Sequence, residues 1–121
     1  MSSFARGRRH VPAAILIDML LLDDNDELPS LPENAEATLA AQLGAEGLHA
    51  IDEALSQHAR RGWLKVACVV VDALKAGGFP ISDDAYIALH VRRLITLVHS
   101  GVLEAQGNPR RPRRSEVRLR P

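Results

Sequence analysis

The 121 residues suffice for one domain, carry no net charge and include a single cysteine, Cys68. A chain of this length buries roughly two-thirds of its unfolded surface without a covalent or metal staple, and one cysteine excludes an intrachain disulfide and a multi-cysteine zinc or iron–sulfur site. Seventeen Ala and seventeen Leu against four aromatics (Phe4, Trp63, Phe79, Tyr86) point to a mostly α protein and argue against an aromatic base-stacking platform for single strands.

The neutrality conceals a division. Residues 1–9 hold three Arg and no acid, residues 10–59 hold ten acids and no Lys or Arg, and residues 60–121 hold twelve Lys or Arg against five acids. Such asymmetry fits an acidic or nucleic-acid partner for one half, one half covering the other, or surface charge that segregates by chance.

Residues 1–9 read as a basic arm. Val11–Leu22 is a 12-residue apolar run interrupted by Asp18, short of the roughly 20 residues a membrane span requires. The preceding ARGRRH has the look of a signal n-region, but Asp18 and the following DDNDE do not suit a cleaved signal, so the cytoplasm is the expected location. Pro12 is tolerated in a first helical turn. The run is predicted as a buried helix, with Ile15, Leu16, Met19 and Leu20 candidates for pairing two copies; a buried strand is the alternative.

Asp23–Pro32 is a polar, proline-punctuated connection. Ser30–Glu33 matches the capping box S-x-x-E, which predicts a helix through Leu43 closed by Gly44. This completes an N-terminal extension over residues 1–43. The domain proper, 44–121, opens with a helix over Ala45–Ala59 whose buried stripe is Leu48, Ile51 and Leu55. A second helix runs from Trp63, with Val66, Ala67, Val70 and Leu74 at helical spacing, and stops at Gly77-Gly78-Phe79-Pro80. Ser82 is the expected N-cap of the third, ending near Gly101. One side of this helix is apolar (Ile87, Val91, Leu94, Ile95, Leu97, Val98), while Arg92, Arg93, Thr96 and His99 lie on the other.

After Gly101 the period becomes 2. Val102–Gly107 and Ser115–Arg120 alternate around an Asn/Pro/Arg loop, the pattern of a β-hairpin. Three helices followed by a hairpin is the order of a winged helix-turn-helix.

Across about residues 44–119 the chain resembles a bacterial domain-of-unknown-function family, often fused behind a second uncharacterised N-terminal domain. The resemblance is carried by LHAIDEAL, WLKVACVVVDAL, VRRLITLVHSGVLEAQG and SEVRL. It implies the winged-helix-like fold and no chemistry.

The strongest local signal is the hairpin loop, where Arg110, Arg111, Arg113 and Arg114 place four guanidinium groups in five residues beside two prolines expected to hold the loop extended. With Arg92, Thr96 and His99 they outline a surface for duplex DNA or an acidic protein. Against DNA stand Asp83 and Asp84 at the start of the would-be recognition helix, and the long connection before it. Arg93 is expected to fork onto Glu104 or Glu116 at the helix–hairpin junction, and Arg118 to pair with Glu104 across the strands. Cys68 reads as packing rather than a nucleophile. No metal-binding, nucleophile or phosphate-loop motif occurs, so neither an enzyme nor a cofactor is expected. The two expectations are a DNA-associated regulatory module with an Arg-rich wing, and a protein-interaction module of the same fold.

Overall fold

The structure, a computed structural model, describes residues 27–121. Its elements are α1 (Asn34–His58), β1 (Leu64–Lys65), α2 (Val66–Ala76), α3 (Asp84–His99), β2 (Leu103–Gln106) and β3 (Glu116–Leu119). The strands form one antiparallel sheet in the order β1-β3-β2. Helix–strand–helix–helix–strand–strand with the last strand central is winged-helix topology, and the chain is mostly α as its composition predicts.

The alternation read at the C-terminus is realised in the ladder. Leu103 and Val117 are fully buried, whereas Glu104 faces Arg118 and Gln106 faces Glu116 on the outer side. Ile51 and Leu55 of α1, Val66, Val70 and Leu74 of α2, and Val91 and Leu94 of α3 close the core above the sheet. Leu28 and Leu39 belong to the same core, so the described part of the extension packs on the domain.

Local structure departs from expectation at four places. Leu64-Lys65 is a strand paired with Val117 and Glu116, so the second helix starts at Val66 rather than Trp63. A two-residue strand is too short to display a period. The Ser30 capping box does not form: α1 begins at Asn34, Glu33 is its N-cap, and no side chain caps it. Pro32 disfavours helical geometry at Leu31, and the carbonyls of Leu28, Pro29 and Ser30 accept from arginines instead of from a helix. Asp83, not Ser82, caps α3, its Oδ1 accepting from the Ala85 amide at 2.9 Å. Cys68 is exposed rather than packed, because it lies on the same solvent-facing side of α2 as Asp72 and Lys75; partial burial and nearby Asp72 push its thiol pKa up.

The expected break at Gly44 falls inside α1, where the residue has φ 67° and ψ −174° and the helix axis kinks. That backbone region is essentially reserved for glycine. A Cβ there would meet no neighbour within 4 Å, so the penalty of substitution is conformational. Gly44→Ala is expected to lower unfolding free energy by about 1–3 kcal/mol in urea titrations. Gly44→Asn should do no better, since ψ lies outside the left-handed helical well that Asn tolerates.

His90 is completely buried, which its spacing did not signal. Its Nδ1 donates to the Tyr86 carbonyl at 2.8 Å, its ring meets Phe79 edge-on at 5.3 Å, and Nε2 has no hydrogen-bond partner. Burial holds its pKa below the ordinary histidine value, only partly opposed by the Tyr86 bond. The unfolded chain therefore takes up this proton near pH 6.5, before the folded chain does. Stability should fall as pH drops through about 6.5 and level off below the folded pKa. Urea midpoints across that window should lose this component in His90→Met.

Candidate interaction surface

The outer face of α3 is where a winged helix meets a duplex, and here Pro29, Ser30 and Glu36 of the same chain bond to Arg92 on it. Glu36, in the first turn of α1, is 3% exposed. Its carboxylate receives two hydrogen bonds from the Arg92 guanidinium, Nε to Oε2 and Nη2 to Oε1. Arg92 also donates to the Ser30 and Pro29 carbonyls at 3.2 and 3.1 Å. One side chain of α3 thus ties down the segment that precedes α1. Arg92, expected on an open face, instead spends its donors on the acidic half of its own chain.

The other expected contacts divide. Arg93 does not fork onto Glu104 or Glu116. It forks onto Asp52 of α1, Nε to Oδ1 at 2.9 Å and Nη2 to Oδ2 at 2.7 Å, and this bond raises its pKa. The reason is direction: Arg93 lies on the side of α3 that packs along α1. Arg118 does pair with Glu104, at 2.7 Å, and its guanidinium stacks 4.4 Å over the Trp63 ring. Glu116 accepts from Gln106 across the ladder. Thr96 and His99 are exposed, and the Thr96 hydroxyl donates back to the Arg92 carbonyl at 3.1 Å.

The Arg-rich loop is wound rather than extended. Asn108-Pro109-Arg110-Arg111 and Arg111-Pro112-Arg113-Arg114 are consecutive turns, closed by Arg111 N to Asn108 O (2.8 Å) and Arg114 N to Arg111 O (2.9 Å). Each places proline second, where its fixed φ favours turning. The two prolines therefore turn the loop instead of holding it extended. Carbonyls of the loop and of Ser115 then serve α2: Pro112 accepts from the Ala67 amide and Ser115 from Val66, at 3.1 and 3.0 Å. Two amides at a helix start that lacks a side-chain cap are thereby satisfied. Lys65 adds a bond to the Arg113 carbonyl. Arg110 turns to the segment before α1, with its Nε on the Leu28 carbonyl, its own carbonyl accepting from the Leu28 amide, and Nη1 3.5 Å from Glu27. Arg111, Arg113 and Arg114 are engaged as well.

Between the 27–36 segment, the start of α3 and Pro112 lies a cavity of roughly 490 Å³. Leu28, Ile87, Ala88 and Val91 line it, and Glu27, Glu33, Asp83 and Asp84 stand around it. The sequence does not reveal this cavity or Glu36, and it marks Asp52 only as part of the LHAIDEAL resemblance, not as the partner of Arg93. The partners of Arg92 and Arg93 are 56 and 41 residues away, and no local pattern encodes such distances. The candidate pairing helix with Ile15, Leu16, Met19 and Leu20 lies outside the described residues.

Among the described residues no group of three or more His, Cys, Asp or Glu is arranged to hold a metal, and no helix is long and apolar enough to cross a membrane. Comparison with protein-family models, curated proteins and solved structures found no match. The fold therefore defines the class, a winged-helix-type domain whose own segment ahead of and into α1 is tied to α3 at Arg92.

Removing Arg92 leaves the Glu36 carboxylate buried without its counter-charge. Arg92→Ala is expected to cost about 3 kcal/mol in urea unfolding, and Arg92→Met combined with Glu36→Leu distinctly less. Arg118→Ala, at a pair about one-third exposed on both sides, should cost no more than about 1 kcal/mol.

Proposed function

We propose that this domain is a protein-interaction module of winged-helix topology rather than a reader of duplex DNA, working in the cytoplasm. The observation that carries the reading is the Glu36–Arg92 clamp, which holds an acidic segment against the helix face a duplex would need and takes up its Arg92, while Thr96 and His99 on that face stay exposed. Two features agree with it. The α3 N-terminus opens on Asp83 and Asp84, which repel phosphate where the helix would enter a groove. The Arg-rich loop uses its backbone to cap α2 and directs Arg110 inward. The lone cysteine suits a reducing compartment.

Fluorescence anisotropy of a labelled mixed-sequence duplex tests this with the full chain. Little binding is expected at about 150 mM salt, where unshielded phosphate contacts would still register. Saturable binding there overturns the reading. The DNA alternative would gain further if Ala at Arg110, Arg111, Arg113 and Arg114 flattened the log–log salt slope by about 3 to 4.

A further inference from the structure

We propose that the cavity between the 27–36 segment and the start of α3 receives a short aliphatic peptide segment flanked by Lys or Arg, supplied by a partner protein. The proposal rests on the interaction-module reading and specifies the partner's chemistry. At roughly 490 Å³ the cavity lies within the range of about 300–1,000 Å³ typical of ligand pockets. Leu28 from the segment, Ile87, Ala88 and Val91 from α3, and Pro112 from the loop give it an aliphatic wall, and the Arg92-paired Glu36 also lines it.

The charge around it has one sign. The first turns of α1 and α3 converge here and bring Glu33, Asp83 and Asp84, while the chain entering α1 adds Glu27. Helix N-termini ordinarily welcome anions, but these already carry carboxylates, so a phosphate or acidic peptide would meet repulsion. The nearby cations are committed: Arg92 to Glu36, and Arg110 to Leu28 and Glu27. An apolar floor inside an acidic rim complements aliphatic side chains with a cation on either side. Rim charges of this kind govern encounter and selectivity more than total affinity.

The test is a titration of the isotope-labelled full chain with a synthetic Lys-Leu-Val-Leu-Lys peptide, followed by the amide resonances of Ala85 and Ala88. A Glu-Leu-Val-Leu-Glu peptide serves as the control. Saturable shifts with the Lys-flanked peptide alone, weakening as salt rises, are expected. Glu33→Gln and Asp84→Asn should each weaken binding by about two- to fivefold. Both side chains are exposed, neither makes a capping hydrogen bond (Glu33 is the N-cap of α1 by its backbone alone), and neither joins an ion pair among the described residues, so these variants should fold. Ala88→Trp, which fills the cavity, should reduce binding at least about tenfold.

Equal binding of both peptides overturns the proposal, as does binding that survives Ala88→Trp in a protein with unchanged circular dichroism. No shift overturns it too, and is the outcome expected if residues 11–22 of this chain or of a second copy occupy the cavity. These failures leave the interaction-module reading standing. Duplex DNA titrated in parallel addresses that reading separately, since saturable duplex binding at about 150 mM salt is what sinks it.

Discussion

A carboxylate buried to the extent of Glu36 is stable only with its charge balanced, and the fork of Arg92 is what balances it. The guanidinium is planar and has five donors; here two bonds meet the carboxylate and two more meet the Pro29 and Ser30 carbonyls. A single α3 side chain therefore fixes both the first turn of α1 and the segment leading into it. Leu28 and Leu39 are buried beside that clamp. The cavity lies between this segment, tied down at Glu36 and Leu28, and the start of α3.

The same logic settles much of the chain's charge division. Glu36, Asp52 and Glu27, all from the acidic half, meet Arg92, Arg93 and Arg110 from the basic half. Two of these pairs use bidentate geometry, which specifies direction as well as attraction. They orient α3 against α1 and dock the loop against the entering chain. What composition displays as two oppositely charged halves is, at these positions, one half covering the other. Glu33, Asp83 and Asp84, which stay outside these pairs, stand at the cavity.

The hairpin has a structural duty that its arginine content obscures. Its turns lead Pro112 and Ser115 to the start of α2, where their carbonyls replace a missing side-chain cap. Gly107, at φ 80°, permits the close return, since a Cβ there would stand 3.1 Å from the Arg114 carbonyl oxygen. On the outer face of the sheet, Trp63, Arg118 and Glu104 form a stack across β3 and β2. Backbone bonding to α2, together with Lys65 and Arg110, makes the loop part of the domain.

The sequence by itself determined the helices, the glycine break, the hairpin and its inward and outward faces. These follow from periodicity and from local stereochemistry, as at Gly44 and at the alternation of Leu103, Glu104 and Ala105. It also determined the Arg118–Glu104 pair, because the hairpin brings residues 14 positions apart into register. Tertiary structure alone decided the rest. The strand at Leu64-Lys65 exists only because β3 offers it a ladder, and His90 is buried only because α3 is packed on more sides than its apolar stripe foretells. Arg92 and Arg93 were legible as cations on a helix face, but not as partners of Glu36 and Asp52. Charge attracts without regard to position along the chain, so an ion pair across more than forty residues is chosen by which surfaces the core presses together.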